Sequence, residues 1–289
     1  MADQLCMGYH VLKEIGDKIP KKLPIVAKQL QEKGFKPAAQ IFTIGPQTAH
    51  VNFETDELEE IAKVVDQYSM KLFIHGAYIH TPWSKSERSI TGIVKELIHA
   101  KLCHAQGVIV HLSKNAAVKE NLHWVLNKIN EKLPVDWNAS DPALYMEINS
   151  PKSGNQTFET PAKLGVVINS IPDDLVYRIG YCIDTAHLYA SGVSFRYAND
   201  VREWMDAFII QLDENPILIH LNDSDSILGS GKDEHAPLYN KIWNPNDDES
   251  GLMELLKIAS SYDIPLILER HKGIGVEHDL DIVAGLMKQ

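Results

Sequence analysis

Short apolar runs alternate along this chain with longer stretches in which apolar positions recur three and four residues apart. The runs at 5–11, 38–44, 71–78, 107–112, 143–149, 178–184, 217–222 and 265–269 predict eight buried strands. Between them, segments such as 56–68, 90–106 and 251–262 carry the i, i+3, i+4 stripe of an amphipathic helix. Eight strands alternating with helices are what a (β/α)₈ TIM barrel requires, an α/β architecture of about 250 residues. No low-complexity linker or charge block interrupts the 289 residues, so one domain covering 1–289 is expected.

The polar residues that close these strands form a series. His75 closes KLFIH, His111 closes GVIVH, Glu147 sits in LYMEIN, Asp184 closes YCID, His220 lies in ILIHLND and Glu269 ends LILE. A single histidine in a buried strand is ordinarily a hydrogen-bonded core residue. The first five are separated by 36, 36, 37 and 36 residues, about one strand and helix apart, and a series of that kind is poorly explained that way. A barrel brings the C-terminal ends of all its strands to one face, where active sites form. The six side chains are therefore expected at a common mouth.

Three more candidates lie in loops. His187 follows Asp184 by three residues in DTAH, a spacing read as a turn that serves adjacent metals. Asp233 and His235 end the Gly-rich loop GSGKDEH and, in an extended segment, project to the same side. Imidazoles and carboxylates are zinc-type ligands. Nine of them exceed what one tetrahedral zinc needs and suit a cluster of three zinc ions with Glu147 as a bridge.

Composition narrows the setting. The three cysteines (Cys6, Cys103, Cys182) make no disulfide framework and read as buried thiols. The N-terminus shows no secretory signal, and no apolar stretch is long enough to span a bilayer, so an intracellular, cytoplasmic protein is expected. A formal charge of −11 argues against nucleic-acid affinity through bulk electrostatics. Bound divalent metals would still create a local positive site.

The segments HGAYIHTPW (75–83), CIDTAHLYASGV (182–193), HLNDSDSILGSGKDEH (220–235) and PLILER (265–270) resemble the endonuclease IV family, AP endonuclease family 2, and most closely its divergent viral branch. The likeness covers nearly the whole chain. It implies a TIM barrel with three zinc ions that cleaves the phosphodiester 5′ to an abasic site in duplex DNA during base excision repair, leaving a 3′-hydroxyl. By position, His75, His111 and bridging Glu147 would hold one zinc. Glu147, Asp184, His220 and Glu269 would hold the second, and His187, Asp233 and His235 the third. Glu147 and Glu269 would support the metal-activated hydroxide that attacks phosphorus. No covalent intermediate and no nucleotide cofactor are implied. Tyr78 matches a tyrosine near the DNA, and His10 a histidine beside the metals.

This sequence also departs from the family. Gln47 stands where an arginine usually reaches the gap left by the missing base, and Glu234 replaces the usual arginine of DRH, with Lys232 nearby. Ser230 lies in a Gly-Ser-Gly loop that could offer backbone N–H groups to a phosphate. His80, His99, His104, His123, His271 and His278 read as surface or packing residues; Lys85 and Arg88 read as a solvated helix face. Trp83 and Trp243 read as packing, and His50 as a minor DNA-contact candidate. A monomer is expected, as host-cytoplasmic or virion protein if the source is viral; 3′-end trimming is left open. A metal-dependent sugar isomerase or epimerase of the same barrel superfamily, and a non-catalytic lesion-binding protein, are the alternatives.

Overall fold

The computed structural model describes residues 4–14, 16, 18–48, 50–112, 115–151, 157–212, 215–246, 249–270 and 275–288. Eight strands form a closed parallel barrel: β1 (Cys6–His10), β2 (Lys36–Ile41), β3 (Lys71–His75), β4 (Gly107–His111), β5 (Ala143–Glu147), β6 (Ile179–Asp184), β7 (Ile217–His220) and, after a small antiparallel ribbon of β8 (Asp223–Ser224) and β9 (His235–Ala236), β10 (Leu266–Leu268). Closure comes from β1, which pairs in parallel with both β2 and β10. The helices are α1 (Ile19–Glu32), α2 (Thr55–Tyr68), α3 (Glu87–Leu102), α4 (Asn115–Lys132), α5 (Pro161–Ile168), α6 (Thr185–Ala190), α7 (Ala198–Leu212), α8 (Gly251–Ser261) and α9 (Val276–Leu286). This is the TIM barrel that the hydrophobic pattern predicts.

Strand alternation sorts the side chains into two cores. Outward-facing residues such as Met7, Leu72, Val108, Met146 and Ile183 join the apolar faces of the helices. Inward-facing residues form a separate cluster of Cys6, Ala38, Phe73, Ile109, Ala143, Tyr145, Cys182, Leu218 and Ile267. Tyr145 spans this interior edge-on to Phe73, with ring centroids 5.5 Å apart. Its ring lies where side chains at Gly107 and Gly180 would stand, so a Cβ there would come within 2.8 and 2.7 Å of it. Two glycines thus make room for one large ring, and the barrel floor is filled.

Two residues further along most strands, the same inward parity presents the mouth residues. Cys6 leads to His10 by way of Gly8, Ala38 to Gln40, Phe73 to His75, Ile109 to His111, Tyr145 to Glu147, Cys182 to Asp184, Leu218 to His220 and Ile267 to Glu269. Neighbours are in register across strands: His10 with Gln40, His111 with Glu147, Asp184 with His220.

Several strands stop earlier than their apolar runs. β3 ends at His75: the Gly76 N–H still donates to Ile109 O of β4 at 2.8 Å, but that of Ala77 turns to Glu96 Oε1 at 3.0 Å, and Tyr78 lies in the following turn. β2 ends at Ile41, and Phe42–Ile44 leave the barrel for a loop closed by an Ile44–Val51 bridge. Glu269 follows β10 rather than ending it.

Candidate metal centre

All nine residues singled out from the sequence lie at one end of the barrel. Donor atoms of His75, His111 and Glu147 fall within 4.8 Å of one another, as do those of Glu147, Asp184, His220 and Glu269. Glu147, wholly buried, belongs to both groups. The third group differs in membership from the expected one. Its mutually close atoms come from Asp184, His187 and His235. Asp233 approaches both histidines, 3.2 Å from His187 Nε2 and 3.1 Å from His235 Nε2, from a side chain 42% exposed.

The spacing of Asp184 and His187 has a different cause from the turn expected. Asp184 caps α6: its Oδ1 accepts from the N–H groups of Ala186 (2.7 Å) and His187 (2.9 Å). The cap occupies Oδ1 and leaves Oδ2 toward the centre, 3.9 Å from His220 Nδ1 and 3.4 Å from His235 Nε2.

Hydrogen bonds on the outer side of the rings decide which nitrogen faces inward. A carbonyl can only accept, so His75 Nδ1 donates to Gly76 O at 2.8 Å and His187 Nδ1 to Ile148 O at 2.9 Å. Both then turn Nε2 inward, the orientation that metal-binding histidines receive from their outer partners. His220 is reversed: Nε2 lies 2.8 Å from Gln40 Oε1, and Nδ1 sits 3.2 Å from Glu147 Oε1 and 3.3 Å from Glu269 Oε2.

The buried carboxylates hold these histidines strongly basic. Burial alone would lower the pKa of His220 and His187. For His220 it is outweighed by the Cys182 sulfur, Glu269 and Glu147, and for His187 by Asp184, Asp233 and Glu147, so both stand well above 6.5. Glu269 moves the other way. Burial raises it, but the surrounding histidines, His220 foremost, hold it down to about 2. Glu147 is likewise well below its usual range, chiefly because of His111 and His220. Burial pushes the Cys182 thiol up to about 12, so it stays protonated.

Two buried atoms at the centre, Glu147 Oε2 and His235 Nε2, have no hydrogen-bond partner among the described residues. Glu147 Oε2 lies 3.0 Å from His111 Nε2 and 3.5 Å from His75 Nε2 without bonding geometry to either. Anions and lone pairs aimed at a shared point, rather than at each other, fit a divalent cation.

Behind these residues stand partners that sequence reasoning missed. Asn222 Nδ2 donates to Asp184 Oδ2 (2.7 Å) and reaches Glu269 Oε2 (3.4 Å), while its Oδ1 accepts from Arg270 Nη1 (2.6 Å) and Glu269 N–H (3.1 Å). Arg270 is in turn paired with Asp279 on α9. Gln40 joins His10, His220 and Glu269. His10 belongs to none of the three groups; its ring centroid is 6.4 Å from that of His75, and burial lowers its pKa to about 3.

The centre opens into a cavity of about 580 Å³ lined by Tyr78, His80, Trp83, Asn149 and Ser150 among others. Tyr78 is half exposed and stacks near the His111 ring at 5.7 Å. His80 is more than a surface residue: Nδ1 lies 3.0 Å from Glu96 Oε2 and so ties the Tyr78 loop to α3. Trp83 packs inside and donates to His111 O at 2.8 Å; Trp243 is buried, donating to Phe195 O at 2.8 Å. His99 is buried, His278 and Arg88 are exposed on helices, and Lys85 sits in a left-handed turn before α3 rather than on its face. His104 lies 2.9 Å from Asp66 on the surface, and His271 lies outside the described residues.

Gln47 and His50 are exposed on the loop that Tyr78 N–H anchors through Pro46 O at 2.8 Å. Ser230, Lys232 and Glu234 are exposed as well. The Gly-Ser-Gly backbone, however, has no N–H to offer a phosphate. Those of Gly229 and Gly231 donate to Tyr189 O and Ala190 O, each at 2.9 Å, and that of Ser230 to Ile227 O at 2.9 Å. The loop is fastened to the end of α6, and any contact there falls to side chains.

Residues 27–281 match the family model described as xylose isomerase-like TIM barrel. The probable endonuclease 4 of Halothermothrix orenii (strain H 168 / OCM 544 / DSM 9562) is 31% identical over 258 residues, covering 85% of this chain and 88% of that one. The chain belongs to the endonuclease IV family. Among viral members, the probable AP endonuclease of African swine fever virus (isolate Tick/Malawi/Lil 20-1/1983) is 29% identical over 248 residues, 83% of this chain and 81% of its own. A crystal structure described as AsfvAP:AG superposes with a TM-score of 0.81 at 26% identity, covering 99% of this chain and 98% of that one. A D-tagatose 3-epimerase-like protein, at 17% identity and a TM-score of 0.64 over 98% and 97% of the two chains, shares the fold alone. As a member of the endonuclease IV family, the chain is an enzyme of the nuclease hydrolase class. Among the described residues, no helix is long and apolar enough to cross a membrane.

Proposed function

We propose that this enzyme is a zinc-dependent AP endonuclease that hydrolyses the phosphodiester 5′ to an abasic site in duplex DNA and leaves a 3′-hydroxyl. The observation that carries the reading is the gathering of three donor groups at one barrel end, two of them sharing buried Glu147 and two sharing Asp184, with histidine nitrogens turned inward by their outer hydrogen bonds. His75, His111 and Glu147 would hold one zinc, Glu147, Asp184, His220 and Glu269 a second, and His187, His235 and Asp233, with Asp184 at the edge, a third. When bound, zinc lowers the pKa of a water and neutralises charge on the attacking and leaving oxygens.

The chain's own residues do the rest. Glu269 is held as a carboxylate and presents Oε2 toward the cavity side of His220. In this reading it orients the attacking water. Glu147 stays ionised and keeps the two groups at a fixed separation. Tyr78, at the cavity rim, excludes water and offers a ring to the sugar beside the lesion. The flipped abasic nucleotide has no base to unstack, which lowers the cost of entry.

Native mass spectrometry of protein never exposed to chelator is expected to give about three zinc ions per chain, alongside single-turnover incision of an abasic duplex. One or two metals with no incision would move the assignment to a sugar isomerase or epimerase. Three metals with tight lesion binding and no incision would leave a non-catalytic lesion-binding protein.

A further inference from the structure

Gln40 lies on β2 with no solvent exposure and is the one uncharged amide in the ring of strand-end residues. Its Oε1 is 2.8 Å from His220 Nε2, and its Nε2 is 2.7 Å from Glu269 Oε1 and 2.9 Å from His10 Nδ1. A primary amide has two N–H donors and one carbonyl acceptor, and all of these are engaged here.

The orientation of that amide is decided by its neighbours. Glu269 is an anion and can only accept, so the atom facing it at 2.7 Å must be the NH₂ group. Turning the amide over would set its carbonyl oxygen against a carboxylate oxygen. With the NH₂ fixed, the carbonyl faces His220, which must therefore carry its proton on Nε2 and direct Nδ1 toward Glu147 and Glu269. The second N–H faces His10 Nδ1, which must be the unprotonated nitrogen of that ring. One side chain thereby fixes three others.

We propose that Gln40 is the positioning residue for the second metal group. Through one oriented amide it sets the tautomer of His220, holds Glu269 by Oε1 while Oε2 faces His220 Nδ1 and Asn222 Nδ2, and draws His10 into the same hydrogen-bond chain. The proposal rests on the zinc reading above. Its partner on the other side of Glu269 is Asn222, whose amide is oriented by Arg270. Two amides thus grip the two oxygens of one carboxylate.

The test uses the zinc-loaded chain and does not depend on catalysis. In the parent, ¹⁵N NMR of the histidine rings is expected to show Nε2–H on both His220 and His10. Gln40→Glu keeps an acceptor facing His220 but replaces the NH₂ that faces both His10 and Glu269 Oε1, setting a carboxyl oxygen against each of them. His10 should then convert to the Nδ1–H form while His220 keeps Nε2–H. Gln40→Met removes both functions at similar volume. In a chelator titration, affinity for one zinc equivalent should fall by about 10- to 100-fold, the usual effect of losing an outer partner of a ligand, with the other equivalents unchanged.

His10 found as Nδ1–H in the parent would overturn the proposal, as would a Met variant that retains every zinc equivalent at parental affinity. Loss of all equivalents together with a lowered melting temperature would reduce Gln40 to a packing residue. In each of these cases the parent still binds zinc, so the functional reading survives. A parent chain that takes up no zinc overturns both.

Discussion

Arg270 and Asp279 are an ion pair inside the fold, 6% and 0% exposed, joining the end of the last barrel strand to α9. Asp279 Oδ2 accepts from Arg270 Nε at 2.7 Å and lies 2.6 Å from Nη2, while Oδ1 accepts the Leu238 N–H at 2.9 Å. Asp279→Ala removes both acceptors. Leaving one member of a buried pair uncompensated costs about 3–5 kcal/mol, and a buried N–H without a partner about 1–3 kcal/mol. The expected loss is therefore about 5 kcal/mol. At roughly 2–4 °C per kcal/mol for a chain approaching this size, the melting temperature should fall by about 10–20 °C.

The double variant Arg270→Met, Asp279→Leu removes both charges and keeps apolar volume, so most of that stability should return. The site should not recover with it, because Asn222 Oδ1 has lost the Arg270 donor at 2.6 Å that orients its amide toward Asp184 and Glu269. The assay is calorimetric unfolding at fixed free zinc, paired with a chelator titration. A loss below about 1 kcal/mol for Asp279→Ala would refute the reasoning, since surface ion pairs contribute that little. A double variant no more stable than the single one would also refute it.

Other outcomes follow from the same centre. Glu269→Gln keeps volume but loses the anion, so incision should fall far more than tenfold, beyond about 1.4 kcal/mol in barrier, in a single-turnover assay. With Gln47 and Glu234 where basic residues are usual, the slope of log affinity against log salt should be shallow, each phosphate contact adding about 0.9. In catalytically dead protein, Gln47→Arg should tighten abasic duplex in preference to intact duplex, whereas Glu234→Arg should tighten both; equal effects of Gln47→Arg would remove that loop from the lesion. The metal-free chain should have a pH optimum of stability. Raised His187 and His220 contribute fully below the ordinary 6.5 and lose that contribution as pH rises through their folded values. Glu269, lowered to about 2 from 4.5, contributes above 4.5 and loses it as pH falls. Denaturant titrations in chelator should thus peak between about 4.5 and 6.5, while zinc occupancy falls on acidification because the ligands must be deprotonated. A metal-free stability that climbs steadily to alkaline pH would contradict this.

The barrel and its donor series were legible because both rest on local alternation. A strand buried on both faces writes an apolar run, and a polar residue closing it on the inward parity is visible without coordinates. Gln40 escaped because Phe42 and Ile44 prolong the apolar run of β2 beyond its true end, hiding the mouth position inside it. Asn222 and Arg270 escaped for another reason: neither is a metal-ligand type, and their importance depends on contacts with Asp184 and Asp279. The backbone of residues 229–231 looked available because its acceptors, Tyr189 O and Ala190 O, lie far back in the chain. Asp184 as a helix cap was readable in principle, since Asp before TAHLYA is a helix-start signal.

The filled floor of the barrel bears on kinetics. Tyr145, Phe73 and their neighbours are at most 5% exposed and fill the barrel beneath Glu147, so under the proposed function ions held at the ring would have their way in and out on the open side of the barrel. That way is the cavity rimmed by Tyr78, where the duplex would lie. Under the proposed function a bound duplex would then act as a stopper: metal would leave the complex more slowly than the free enzyme, and the enzyme would be protected from chelation while engaged on damaged DNA.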